Sequence, residues 1–369
     1  MACSADGKDQ EPNWMKFSTR KILAICVLFL IITSFCLTSV GRLSLHNSPR
    51  PIMVRPSDVQ TSDIHSNRSV STEFLQSTDV KGDNMNDIAS QQTARLNLLH
   101  QQCKEAKKKG FKFSQKPRDL YYNDKYEFIF CAVPKVAATS WKRVLLVLNG
   151  EVQSVQGLHH MDVQHHHRYP TLNRVSHYQR QSRLATYKKV LFVREPFHRL
   201  LSAYRNKFEL TTVNSIYRRK YGRYIIQKYR EKPISHSSMK DNDVTFPEFV
   251  KYLIDPRTTF SSMDQHWRPM FALCNVCNIG YDFIGKFERL QEDALSVLTL
   301  IHASGDVTFP DYDTHVTNSS HQDVFSKYYS EVPKDDLVRL YKKYELDFKL
   351  FGYDIPTIIT DGPSFLKRK

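Results

Sequence analysis

A chain of 369 residues, 41% of them hydrophobic, has the material for one packed domain of roughly 200–250 residues plus a tail and an anchor. Its 53 Lys and Arg against 38 Asp and Glu leave a formal charge of +15, which favours acidic partners such as anionic lipid, an acidic polymer or a nucleotide. Nucleic acid would suit the same charge, but no zinc-finger spacing, basic zipper or aromatic RNA-binding signature accompanies it, so nucleic acid is not the expected partner.

At the N-terminus, Ile22–Val40 runs for 19 residues without a charge, about the length that spans a bilayer as a helix. Cleaved signals have shorter apolar regions. Lys16, Arg20 and Lys21 crowd its N-terminal side and Arg42 alone stands close on the other, which predicts a cytosolic N-terminus and a luminal body. The predicted organisation is a cytoplasmic tail (1–21), a transmembrane signal-anchor (22–40), a luminal stem (41–115) and a folded domain (116–369). The stem assignment rests on abundant Ser, Asp, Asn, Gln and Thr with little apolar periodicity, although 94–109 reads as a helix ending near Gly110. Asn67 and Asn318 stand in glycosylation triplets on the luminal side. Cys103, Cys131, Cys274 and Cys277 form an even luminal set, for which three disulfide pairings are possible. Cys274-x-x-Cys277 has the spacing of half a zinc site but no second ligand pair nearby, so no metal is expected.

Beyond residue 120 strand and helix patterns alternate. Tyr126–Val133 is a short apolar run that reads as a buried strand, followed by a tight loop and a helix carrying Trp141, Leu145 and Leu148 at helical spacing. Val190–Val193 is a second strand, and Pro196 suits the first turn of the helix after it. A third strand is predicted at Tyr281–Phe287, with helices from Leu290 to about His302 and over Leu337–Phe348. This order predicts an α/β domain with a central, mainly parallel sheet flanked by helices, whose ligands bind beyond the carboxyl ends of the strands.

Two loops fall at those ends. In the first, Pro134, Lys135, Val136, Ala137, Ala138, Thr139 and Ser140 lead from strand to helix. A helix N-terminus offers unpaired N–H groups, Lys135 adds a charge, and Thr139 and Ser140 add hydroxyls, which together suit a phosphate. There is no GxxxxGK[ST], which argues against a P-loop kinase or nucleotidase. In the second, Arg194 ends a strand with a planar fork fitted to phosphate, and Ser202 lies well inside the following helix.

The two segments, PKVAATSWKR (134–143) and REPFHRLLSAYRNKF (194–208), resemble the nucleotide motifs of the Golgi carbohydrate sulfotransferase family, commonly PKVACTNWKR and REPFxRLxSAYRxKF. The resemblance continues through FPEFVKYLIDP (246–256), QHW (265–267), CNVCNIGYDFIGKFE (274–288) and LYKKYELDFKLFGY (340–353), covering about 120–355. AYRNKF, LIDP and LFGY are most similar to the chondroitin 4-O-sulfotransferases. The resemblance implies a P-loop-like sulfotransferase fold and a single-pass type II Golgi membrane protein. It implies 3′-phosphoadenylyl sulfate (PAPS) as donor and the 4-hydroxyl of N-acetylgalactosamine in an acidic chondroitin- or dermatan-type glycosaminoglycan as acceptor. A terminal N-acetylgalactosamine or a glucuronic-acid-capped glycan is the alternative acceptor, and a non-catalytic luminal binder of acidic glycans the alternative function. By the same resemblance 134–140 hold the 5′ side of the donor. Arg194, Glu195, Pro196, Phe197, His198, Arg199, Leu200, Leu201 and Ser202 form the 3′-phosphate motif. Ala138, Ser140 and His198 depart from the family's common Cys, Asn and Glu, without loss of a backbone donor.

Lys135 is the candidate to neutralise the bridging oxygen as the bond to sulfur breaks. A histidine suits the general base. His165, within a run that also holds His159, His160, His166 and His167, is one candidate, and His266 is the other. Arg205, Lys207, Arg218, Arg219, Lys220, Arg223 and Lys228 are candidates for an acceptor groove.

Overall fold

Strands that are apolar on both faces need covering on both, and the sheet is built from such strands. In the computed structural model the described residues are 79–113, 120–158, 162–163, 169–209, 215–231, 243–311 and 317–360. Residues 1–78 lie outside them, and with them Ile22–Val40 and Asn67. No helix among the described residues is long and apolar enough to cross a membrane.

In chain order the main elements are α1 (Asp79–Lys108), β1 (Leu120–Asn123), β2 (Phe128–Cys131), α2 (Ala138–Leu148), α3 (His177–Thr186), β3 (Lys188–Val193) and α4 (Pro196–Tyr204). They continue with α5 (Arg223–Tyr229), α6 (Phe246–Ile254), β4 (Phe283–Lys286), α7 (Leu290–Leu300), α8 (Gln322–Ser330) and α9 (Lys334–Phe351). The sheet has the order β1-β2-β3-β4. Phe130 pairs with Val190 and Leu191 with Ile284 in the parallel β2–β3–β4 ladder, while β1 joins β2 antiparallel. The three predicted strands are thus the parallel set, and β1 is an edge strand that the apolar pattern did not mark. Phe128–Cys131 are all buried, as are Val190–Val193.

Trp141 of α2 seats that helix on the sheet, with ring centroids 5.3 Å from Phe130 and 5.1 Å from Phe192. Gly285 lets β4 approach the same cluster, because a Cβ there would meet Phe192 at 2.3 Å. A second apolar core is helical and joins Phe197, Leu200 and Leu201 of α4 to Phe249, Trp267, Tyr329, Leu340 and Tyr344. Helix α1 begins well before the predicted 94 and packs Leu99 and Cys103 into the sheet core, so the expected stem, 41–115, includes a packed element.

The four cysteines pair as Cys103–Cys277 and Cys131–Cys274, closing separations of 174 and 143 residues. Cross-links over such spans stabilise by about 5 kcal/mol each in the chain-entropy model, less when one loop overlaps the other. Each half of Cys274-x-x-Cys277 enters a different bridge. Among the described residues no group of three or more His, Cys, Asp or Glu is arranged as a metal cage.

Candidate functional site

Both loops lie at the carboxyl ends of β2 and β3. In the first, Lys135 and Ala137 take left-handed conformations, φ 70° and 53°. Left-handed backbone costs a non-glycine residue roughly 1–2 kcal/mol, so something in the loop's surroundings holds it there. The brace is α4. Arg199, 1% exposed, donates from Nε to the Pro134 carbonyl at 3.0 Å, and through its other nitrogens to the carbonyls of Arg268 and Gln265, each at 2.9 Å. Arg194 donates to the Lys135 carbonyl at 3.1 Å. The loop delivers the chain into α2 with Ala137 at the N-cap and no side-chain cap hydrogen bond, a helix start whose dipole suits an anion.

Lys135 is half-buried. Burial, and then repulsion from Lys207, Arg194 and Arg199, pushes its ammonium down to about 7. An arriving anion would reverse that shift.

Arg194 is buried over the Phe287 ring, 4.2 Å from its centroid, and donates to the hydroxyls of Ser319 at 3.1 Å and Ser320 at 2.7 Å. Ser202 Oγ lies 3.0 Å from Thr317 Oγ1, which is 2.9 Å from Ser319 Oγ. Arg194 and Ser202, eight residues apart in sequence, are joined through a segment more than 100 residues downstream. Arg205 holds the same segment by the Thr317 carbonyl. Sequence reasoning missed Thr317, Ser319 and Ser320. The hydroxyl-rich run is the available signal, but taken locally it reads only as a glycosylation triplet. Asn318 itself is exposed, at φ 46°.

The rest of the second motif is packed into the fold. Glu195 caps α4 by accepting from His198 N at 2.6 Å, and its own N–H donates to Glu288 at 2.9 Å. Pro196 starts the helix, and Phe197, Leu200 and Leu201 are buried in the helical core. His198 pairs with Glu195 through Nδ1 at 2.8 Å and stacks on Phe325. In the first loop Val136 and Ser140 are buried, whereas Pro134, Ala138 and Thr139 are half-buried.

His165 and its neighbours His159, His160, His166 and His167 lie outside the described residues. His266 does not. Its Nδ1 is 2.6 Å from Asp264 Oδ1 and 3.3 Å from the Tyr217 hydroxyl. Burial raises the Asp264 carboxyl, but the contacts with His266 outweigh this and hold it below its ordinary value, so it is ionised and can only accept. Nδ1 therefore carries the proton and Nε2 is left as the acceptor. Burial pushes the imidazole down to about 4 despite Asp264, with Lys207 and Lys135 lowering it further. A ring so placed is neutral at pH 7. Asp264, two residues before His266, went unnoticed in the sequence.

Of the proposed groove cations, Arg205 pairs with Glu209 at 2.7 Å and Lys228 with Asp255 at 3.0 Å. Arg218 and Lys207 are buried, while Arg219, Lys220 and Arg223 stay at the surface. A cavity of about 400 Å³ adjoins Arg194, lined by Phe287, Glu288, Leu290 and Ser320 among others. A larger one, about 730 Å³, lies by the Cys103–Cys277 bridge at the amino-terminal end of β4, away from both loops.

A mixed α/β domain with two anion-suited loops at one end of a parallel sheet is the architecture of a sulfotransferase. The model of the Sulfotransferase family matches residues 118–354, and the chain belongs to that family. Within it the chain is similar to the carbohydrate sulfotransferases. It is 41% identical to carbohydrate sulfotransferase 14 of Danio rerio over 242 residues, 66% of this chain and 64% of that protein. It is 37% identical to carbohydrate sulfotransferase 11 of Rattus norvegicus over 249 residues, 66% of this chain and 70% of that protein. It is 36% identical to carbohydrate sulfotransferase 8 of Mus musculus over 273 residues, 72% of this chain and 64% of that protein. The matches to carbohydrate sulfotransferases 14 and 8 thus span less than two thirds of those proteins' length. No solved structure matches the chain.

Proposed function

We propose that this chain transfers the sulfuryl group of PAPS to the 4-hydroxyl of N-acetylgalactosamine in a chondroitin- or dermatan-type glycosaminoglycan. The observation that carries the reading is the meeting of Lys135, the uncapped start of α2 and the Arg194–Ser202 hydroxyl network at one end of the sheet, with the Asp264–His266 pair in the same electrostatic neighbourhood. The residues fit the donor: cations and N–H groups for the phosphosulfate, Arg194 and the hydroxyls for the 3′-phosphate, and an adjoining cavity of about 400 Å³ for the adenosine.

Transfer of this kind is chiefly a matter of positioning and charge. The bond between sulfur and the bridging phosphate oxygen breaks as the bond from sulfur to the sugar oxygen forms. Lys135 takes up the charge that gathers on the bridging oxygen. The hydroxyl proton passes to His266 Nε2, and Asp264 stabilises the imidazolium that results. Arg199 acts at a distance by holding the loop that presents Lys135.

The 4-hydroxyl assignment rests on AYRNKF, LIDP and LFGY, and the acidic polymer on the net charge of +15. A luminal Golgi location behind a signal-anchor at Ile22–Val40 agrees with two disulfides, which persist in oxidising compartments. The test is an acceptor panel: desulfated chondroitin, dermatan, a terminal N-acetylgalactosamine glycan and a glucuronic-acid-capped glycan, with the sulfated position mapped on each product. Sulfate at the 4-position of chondroitin or dermatan supports the reading. Sulfate on another acceptor alone would move the assignment to that glycan, and binding without transfer would leave a luminal glycan binder.

A further inference from the structure

Lys207 takes no part in the proton and charge movements assigned to Lys135 and His266. It lies in a π-helical turn, Arg205–Glu209, that continues α4 beyond Ser202. A π turn inserts an extra residue and re-aims the side chains beyond it, and such turns gather at functional sites. Here the long side chain is carried inward to 9% exposure, with its ammonium 4.3 Å from the centre of the Tyr217 ring. Burying a lysine costs more than leaving it in water, and Lys is seldom so covered without a reason.

Its neighbours belong to the reacting end of the site. Tyr217, which carries the ammonium on its face, turns its hydroxyl to His266 Nδ1 at 3.3 Å and meets that ring edge-on at 5.3 Å between centroids. Asp264, bound to the same imidazole, also acts on the Lys207 charge. The groups that touch Lys207 or interact electrostatically with it therefore include Tyr217, Asp264, His266 and Lys135, drawn from separate segments of the chain. Lys207 is the strongest of the cations that depress Lys135. The two ammoniums repel, and an anion seated between them turns the repulsion into attraction.

We propose that Lys207 is a second catalytic cation, which contacts the sulfuryl oxygens of the donor on the side of the acceptor while Lys135 contacts the bridging oxygen. This rests on the sulfotransferase reading of the site. As the bond from sulfur to the bridging oxygen lengthens, the developing charge moves to that oxygen, while the three sulfuryl oxygens share the charge that remains on the group in flight. Lys207 offsets that charge and gains or loses no proton. The Tyr217 face keeps the ammonium aimed.

The sulfuryl group is present in PAPS and absent from the product 3′-phosphoadenosine 5′-phosphate (PAP), so the contact has a readout that needs no acceptor. In the full-length protein, Lys207→Met and Lys207→Arg are compared with wild type for PAPS and PAP dissociation constants, melting temperature and kcat. In Lys207→Met the preference for PAPS over PAP falls at least about tenfold, PAP affinity stays within about threefold, and kcat falls by about 10²–10³. Lys207→Arg recovers part of both. Equal losses for PAPS and PAP, or a drop in melting temperature that accounts for the lost activity, would make Lys207 a packing residue and overturn the proposal, as would unchanged kcat. If wild type prefers PAPS through Lys207 but sulfates no glycan offered, the acceptor reading fails and the contact stands. If wild type binds neither nucleotide, both fall.

Discussion

Asp264→Asn isolates the charge behind His266 while keeping the side chain's size. The carboxylate accepts the Nδ1 proton at 2.6 Å and the His266 backbone N–H at 3.0 Å. An amide oxygen can keep both contacts, so the variant loses charge rather than geometry. Hydrogen bonds to charged groups contribute about 1.5–3 kcal/mol, and this one strengthens when the ring becomes an imidazolium during transfer. Loss of that difference lowers kcat by roughly 10–150-fold. Lys135 and Arg194 keep their surroundings, so PAP affinity should stay within about threefold of wild type. Single-turnover sulfate transfer from PAPS, with PAP binding by calorimetry, reads both quantities. Full activity in Asp264→Asn, or a loss of PAP affinity as large as the loss of rate, would refute the Asp264–His266 arrangement as the base.

The same geometry governs donor affinity and core packing. The Lys135 ammonium is pushed down to about 7 in the free protein, and a bound anion raises it. Below pH 7 the group is already charged and donor affinity is insensitive to it; above pH 7 binding takes up a proton, and PAP affinity falls by up to about tenfold per pH unit until the raised pKa is passed. Calorimetry at pH 8 in buffers of different ionisation enthalpy measures that uptake, and a value of zero would deny Lys135 a contact with the nucleotide. At Gly285 an added Cβ would meet Phe192 at 2.3 Å, so Gly285→Ala overpacks the sheet core by about 1–3 kcal/mol and lowers the melting temperature by about 2–4 °C for each of those. A thermal melt that does not move would show that β3 and β4 can separate to admit it.

What the sequence disclosed depended on how local the signal was. Phe128–Cys131 and Val190–Val193 are unbroken apolar runs because the parallel strands are covered on both faces, and each is closed by a loop whose residue types suit an anion. Leu120–Asn123 escaped notice because an edge strand of mixed burial, ending in Asn, has no such run. The first half of α1 is polar, and its helix is fixed by docking through Leu99 and Cys103 further along. Nothing in the spacing of four cysteines selects Cys103–Cys277 with Cys131–Cys274. In the site, Lys135 and Arg194 stand just beyond strand ends, while Ser202, inside a helix, was named only through the resemblance of 194–208 to the family's second motif. Thr317, Ser319 and Ser320 reach Arg194 and Ser202 across 115–126 residues, which no local pattern records. Lys207 has the look of one more surface cation in the sequence, yet it lies buried in a π-helical turn that no sequence pattern marks.

The central claim is that the end of the sheet bearing Lys135 moves a sulfuryl group from PAPS to a sugar. Its most direct test is transfer of labelled sulfate from PAPS to desulfated chondroitin by the wild-type protein and by Lys135→Ala. Incorporation by wild type is expected, falling by at least about 10²-fold in Lys135→Ala with the variant still folded. Incorporation that persists in Lys135→Ala at the wild-type rate would contradict it.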